Sequence, residues 1–279
     1  MKTFLPVLLS LACVLSASAE TLRINGSTTV NLPAAEAAEI LRAERKLDIQ
    51  VDTQGGSAGG VSMLGDGLVQ IGMISRPLGD EDRAKYPKIA FREIQIGADA
   101  VALIVSKDVW DGGVRALSQQ QVKDIYESRV TNWKDFGGPS QRIAFFNKEP
   151  GRGTWEVFAH WLYGQPKAAP PVSFPEVGGN EETRNKVGAT RGALSQLSSS
   201  WADGRKVFAL GVKLDDGSIV EPTSANIASK KYPLSRPLNL ITNGNATGSA
   251  KVFIEFMLGA RGQELMQKHG YLPLKELGR

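Results

Sequence analysis

The sequence predicts an α/β fold built on an open, mostly parallel sheet with helices on its faces. Three observations predict it. Short apolar runs recur along the chain with strand-like patterning; three of them lead directly into a turn of Gly, Ser and Thr; and each such turn opens a stretch whose apolar residues fall at helical spacing.

Taken in order, "TLRIN" (21–25) alternates Leu22 and Ile24 and reads as a strand. "GSTTVNLPAAEAAEILRAER" then turns helical, with Ala34, Ala37, Ala38 and Leu41 on one side and Pro33 tolerated near the first turn. Leu47, Ile49 and Val51 alternate in the next strand. "GGSAGG" (55–60) leads into Val61, Leu64 and Leu68 at helical spacing, and "VQIGMIS" (69–75) is a third strand. Residues 101–105 form a buried-strand run. Ser118 and Gln121 stand at capping-box spacing and start a helix. "RIAFF" (142–146) is a strand that delivers "KEPGRGT" (148–154) to a helix with Trp155, Phe158, Trp161 and Leu162 on its apolar face. Near the end, two helical pieces flank Gly259 and close at Gly270. The chain shows no internal repeat, low-complexity segment or long linker, which leaves room for two lobes joined by crossing strands.

The first nineteen residues read as a secretory leader: Lys2, an apolar run too short to span a bilayer, and small residues at Ala17 and Ala19, with cleavage expected after Ala19. A lipid-anchored leader would use Cys13 instead, but Ser10 stands where such a leader carries an aliphatic residue. Cys13 is the only cysteine of the 279 residues, so the mature chain is expected to hold no disulfide and no thiolate metal site. The formal charge of +4 is spread along the chain with no basic run, which argues against a nucleic-acid stripe. His160 and His269 lack metal-ligand spacing and read as structural or exposed.

"NGSTTV" (25–30), "GGSAGG" and "KEPGRGT" share one design: strand, small polar turn, helix. A helix N-terminus has unpaired N–H groups and the positive end of the dipole, and both favour an anion. Glycine lets the backbone approach, and hydroxyls add donors. In an open α/β sheet such turns gather at the carboxyl ends of the strands. Neither nucleotide fingerprint, G-x-x-x-x-G-K-[ST] or G-x-G-x-x-G after the first strand, is present, so the site looks sized for a small oxyanion.

With these motifs the chain resembles the periplasmic phosphate-binding proteins that feed the ABC-type phosphate importer, in the type II periplasmic-binding superfamily. The resemblance rests on "GSTTV", "GGSAGG", "SRPL" (75–78), "ADAVALIV", "LSQQQVKDIYESRVTNWKDFGG", "KEPGRGT" and the tail from "YPLSRPLNLITNG" to "GYLPL". It implies two α/β lobes clamping the ligand by a hinge motion, with 20–100 and 236–279 in one lobe and 101–235 in the other. It implies phosphate as ligand, a membrane permease as partner, a monomer, and neither cofactor nor catalysis. By position it assigns ligand contacts to Thr28, Thr29, Ser57, Arg76, Asp99, Lys148, Arg152, Gly153 and Thr154, with Thr190, Arg191 and Gly192 as further candidates from the second lobe. Two departures stand out. Lys148 occupies a position where the family has arginine, and keeps the charge without the planar fork. Arg152 replaces a serine. Asp99 beside an anion makes sense if the ligand brings a proton, as hydrogen phosphate does and sulfate does not. Another tetrahedral oxyanion (sulfate, molybdate, tungstate) is an alternative ligand. A phosphate-ester hydrolase using Ser27, Ser57 or Thr28 is a reading from another class, and no base for it is visible in the sequence.

Overall fold

The computed structural model describes residues 20–278, so the expected leader and Cys13 lie outside the described residues. Eleven strands and ten α-helices follow one another along these residues. The chain begins β1 (Leu22–Gly26), α1 (Thr28–Arg45), β2 (Ile49–Asp52), α2 (Gly56–Gly65), β3 (Ile71–Ile74) and α3 (Asp80–Lys85). It continues with β4 (Phe91–Ser106), α4 (Lys107–Asp111), β5 (Ala116–Ser118), α5 (Gln119–Tyr126), β6 (Ala144–Lys148) and α6 (Gly153–Tyr163). Next come β7 (Glu176–Val177), α7 (Asn180–Ala189), β8 (Ala193–Ser198), β9 (Val207–Lys213) and β10 (Ile219–Val220). The last elements are α8 (Ser224–Ala228), β11 (Ser235–Asn243), α9 (Gly248–Leu258) and α10 (Ala260–Lys268).

One strand belongs to two sheets. β4 is 16 residues long; from Phe91 to Ala100 it pairs with β11, and from Val101 to Ser106 it runs between β8 and β9. The first sheet runs β2-β1-β3-β11-β4, and the second continues from β4 through β8 and β6 to β7. β4 is thus the strand on which two lobes are hung. The sheets are mixed, a departure from the mostly parallel expectation. β1, β2 and β3 are parallel, as are β6, β7 and β8, but β11 is antiparallel to both β3 and β4, and β4 is antiparallel to β8 and β9. The cause is the crossing itself. A chain that leaves one lobe by β4 and returns by β11 must bring the two strands side by side in opposite directions.

Each sheet is covered on both faces. In the first lobe Ala34, Ala37 and Leu41 of α1 pack with Phe253 and Met257 of α9 over Ile24, Ile71 and Leu240. Val61 and Leu64 of α2 cover the other face at Ile74 and Ile241. In the second lobe Tyr126, Trp133, Phe145 and Phe158 gather on Leu103 and Val105, while Val187 of α7 closes the opposite face over Ala102, Ile104 and Leu197. Each fully buried large apolar side chain contributes about 1.5–3 kcal/mol. The capping box expected at Ser118 forms, Ser118 Oγ accepting from Gln121 N–H and Gln121 Oε1 from Ser118 N–H.

Candidate anion-binding site

Four helices aim their first turns at one small cavity between the lobes. From the first lobe come Thr28 and Thr29 of α1 and Gly56 and Ser57 of α2; from the second come Gly153 and Thr154 of α6 and Asn180 of α7. Ser27, Ser75, Lys148, Arg152 and Gly178 complete the wall, and no carboxylate lines it. A helix N-terminus favours an anion by up to about 2 kcal/mol in a partly buried setting, and here four converge.

The close approach requires glycine at two places. A Cβ on Gly153 would stand 2.5 Å from Ser57 Oγ and 2.7 Å from Ser75 Oγ. Gly56 has φ +60°, and a Cβ there would meet Arg152 Cδ at 2.8 Å. The lobes also touch directly: Ala58 N–H donates to Gly151 O (3.0 Å), and Asn180 Nδ2 donates to Thr29 Oγ1 (3.1 Å).

Beneath the cavity lies a residue to which the sequence reading assigned no role, Arg236 of β11. Its guanidinium donates to Thr154 Oγ1 (3.0 Å), Ser75 Oγ (3.3 Å) and Thr29 Oγ1 (3.2 Å), so it ties together hydroxyls from both lobes. Thr29 Oγ1 therefore accepts from both Asn180 and Arg236, which occupies its lone pairs and leaves its own O–H to be donated. Ser27 Oγ likewise donates to Ser75 Oγ (2.9 Å) while accepting from Thr29 N–H. Ser75 Oγ accepts from Ser27 and Arg236 and so, like Thr29, keeps its own O–H to donate, whereas the Ser27 proton is used within the network.

Asp99 lies behind Arg236 and not on the cavity wall. Its Oδ2 accepts from Arg236 Nη2 at 2.7 Å, and its Oδ1 accepts from Ser199 Oγ at 3.0 Å. The β4–β11 register sets Arg236 opposite Asp99, so the acid is spent on the arginine rather than on a ligand proton.

Arg76 does not reach the cavity either. Its fork holds Asp82 at 2.6 and 3.1 Å, and its Nε lies 2.7 Å from Glu156. Both residues lie in the bend that follows β3; Ser75 lines the cavity, and Arg76 turns away to its two carboxylates.

Lys148 lines the cavity, but its ammonium points past it. Nζ donates to Gly178 O (2.9 Å), Gly179 O (3.0 Å) and Thr183 Oγ1 (2.5 Å), and so tethers the turn that opens α7. Burial pushes its pKa well down, with Arg152 and Arg236 adding to the effect. Arg152 is the N-cap residue of α6 and pairs with Glu149 at 2.6 Å while its stem lines the wall.

Thr190, Arg191 and Gly192 are at the wrong end of the right helix. They follow the C-terminus of α7, where Gly192 O accepts from Trp133 Nε1 at 2.9 Å. The helix reaches the cavity through its other end, at Gly178 and Asn180. "GGN" (178–180) has the same small polar character as the other three turns and was the available sign. Among the described residues no group of three or more His, Cys, Asp or Glu side chains could hold a metal ion, and no helix is long and apolar enough to cross a membrane.

Two lobes crossed by shared strands, with helix N-termini closing on a small cavity, define a two-lobed solute-binding protein. The PBP superfamily domain matches residues 15–261. The phosphate-binding protein PstS of Bacillus subtilis strain 168 is 30% identical over 259 residues, which covers 92% of this chain and 82% of its own. A solved Clostridium perfringens structure, described as a phosphate ABC transporter substrate-binding protein with bound phosphate, is 30% identical with a TM-score of 0.79, covering 91% of this chain and 99% of that one. An ABC-type phosphate transport receptor from Vibrio cholerae is 28% identical with a TM-score of 0.70, covering 90% and 99%. The chain belongs to the PBP superfamily and, within it, to the family of these phosphate-binding proteins.

Proposed function

We propose that this protein captures inorganic phosphate between its lobes with high affinity and delivers it to a membrane ABC importer. In this reading it works as a monomer in the periplasm after cleavage behind Ala19, with lobes of 20–100 plus 236–279 and 101–235, and does no chemistry on its ligand. The observation that carries the reading is the convergence of four helix N-termini and the Arg236-polarised hydroxyls on one carboxylate-free cavity. The site offers donors to every face of a tetrahedral oxyanion. Closure follows because those donors come from both lobes and meet the anion together only when the cleft is shut. The names of the relatives point the same way.

A hydrolase would need a base at the hydroxyls, and neither His160 nor His269 lines the cavity; His269 Nε2 lies 2.9 Å from Glu36 Oε2 on α1. One observation favours a second ligand reading. With Asp99 engaged by Arg236 and no carboxylate on the wall, charge repulsion does not reject sulfate, so a fully ionised oxyanion fits the same donors. Competition decides between them. Labelled phosphate bound to anion-stripped protein is challenged with an equal concentration of sulfate, molybdate or tungstate. Retention of the label supports phosphate capture, and displacement by sulfate at equal concentration overturns it.

A further inference from the structure

Next to the anion cavity is a second groove between the lobes, and at its floor one guanidinium serves two carboxylates. Arg76, just past β3, gives its fork to Asp82 of α3: Nη1 lies 2.6 Å from Oδ2 and Nη2 3.1 Å from Oδ1. That pair lies within the first lobe. The other edge of the guanidinium faces Glu156 of α6, in the second lobe, with Nε 2.7 Å from Oε2. The Nε–H is not aligned for a hydrogen bond, and Glu156 Oε1 has no partner at all. Glu156 is nevertheless only 3% exposed. It sits on the helix whose first turn, Gly153 and Thr154, faces the anion.

Arg76, which meets Glu156, and Pro77 and Asp82, which line the groove with it, all belong to the first lobe. Parting the lobes removes them and returns the carboxylate to water. Closing does the reverse: it desolvates a carboxylate that shares its cation with Asp82 and leaves one oxygen unsatisfied. Such a charge is costly to bury, and protonation is the cheap way out. We propose that Glu156 takes up a proton as the lobes close on the anion, so that capture tightens and release slows as pH falls. This rests on the phosphate-binding reading above.

The charged and titratable groups around Glu156 are consistent with it. Arg76 and Asp82 face it from the first lobe, with Asp80 and Glu81 further along α3; His160 lies one turn along its own helix, Lys167 in the loop beyond, and Arg236 on β11. Lys167 is itself engaged by Glu81 at 2.5 Å. Burial is the largest influence and pushes the Glu156 carboxyl up; Arg76 pulls it down, Asp82 pushes it up, and the balance is upward. A group whose pKa is higher in the closed form favours closure when protonated. Its help is complete below the ordinary carboxylate value of 4.5 and is lost as pH rises through the raised value.

The experiment uses anion-stripped mature protein and phosphate as the probe. Affinity and release rate are followed by tryptophan fluorescence, Trp161 lining the groove, from acidic to neutral pH. Wild type, Glu156→Gln and Asp82→Asn are compared; the titration of phosphate itself is common to all three and cancels in the ratios. Glu156→Gln is expected to bind several-fold tighter than wild type at neutral pH through slower release, and to converge with it in acid. Asp82→Asn frees the Arg76 fork for Glu156, holds that carboxylate ionised, and is expected to move the pH dependence lower. Faster release from Glu156→Gln, or a wild-type-to-variant ratio that stays constant with pH, overturns the inference. An Asp82→Asn profile that coincides with wild type also overturns it. A wild type that binds phosphate with a constant ratio sinks this inference alone; a wild type that binds none overturns the phosphate reading and this with it.

Discussion

Arg236 and Asp99 stand directly opposite each other on adjacent antiparallel strands, and their side chains meet 2.7 Å apart, both fully buried, beneath the cavity. β4 takes part in the sheets of both lobes and β11 pairs with it, so the pair is anchored at the crossing between them. Arg236 then reaches hydroxyls of both lobes from a fixed base.

Asp99→Asn leaves the Arg236 guanidinium buried without its counter-charge. Removing one partner of a buried pair costs about 3–5 kcal/mol of stability. A bound anion supplies the missing charge, so the loss is expected to be larger without phosphate than at saturation. Denaturant unfolding with and without phosphate measures both. Because Asp99 does not line the cavity, affinity for phosphate and for sulfate should rise together, by the stability that the bound anion restores, rather than lose discrimination.

Three of the four helix starts were legible in the sequence because each follows a readable strand and combines Gly with Ser or Thr. The fourth was not, because β7 is only two residues long, Glu176 and Val177, and gives no periodicity to read. Arg236 was hidden for a different reason. It lies within a strand, and only the long-range pairing of residues 99 and 236 reveals what it faces. Arg76 looked like a ligand because it follows Ser75 at a strand end, yet which of two adjacent residues turns inward is set by the bend after β3 and by the carboxylates Asp82 and Glu156, not by composition. Lys148 shows the same limit: its charge and position were readable, but its partners Gly178, Gly179 and Thr183 lie some thirty residues on.

Gly153→Ala places a methyl where Ser57 Oγ and Ser75 Oγ already stand. These two hydroxyls and the Ser75 carbonyl oxygen at 3.1 Å all belong to the other lobe, so the fold of each lobe survives and the cleft is held ajar. Phosphate affinity is expected to drop by about a hundredfold, the equivalent of about 2.7 kcal/mol, with little change in the unfolding midpoint of the anion-free protein. Titration paired with thermal unfolding separates the two effects.

Thr29→Val keeps the shape and deletes the hydroxyl that accepts from Asn180 and Arg236. Leaving buried donors unpaired costs about 1–3 kcal/mol, and the ligand loses one donor as well. Binding is expected to weaken by about tenfold or more, which equilibrium titration against wild type measures directly.

Lys148 holds the α7 turn with a proton that burial makes easy to lose. Its pKa is depressed in the folded chain, so stability rises with pH from that depressed value up to the ordinary 10.5, because the folded chain sheds the proton before the unfolded chain does. Lys148→Met should lack that alkaline rise. Unfolding of wild type and variant across neutral to alkaline pH, without phosphate, checks the sign.

The central claim is that Arg236 organises a closed cavity for phosphate. Calorimetric titration of anion-stripped protein with phosphate near neutral pH, for wild type and Arg236→Met, tests it most directly. Tight binding of one phosphate per wild-type chain is expected, and none detectable in a folded Arg236→Met variant. Undetectable binding by wild type, or undiminished binding by the variant, would contradict it.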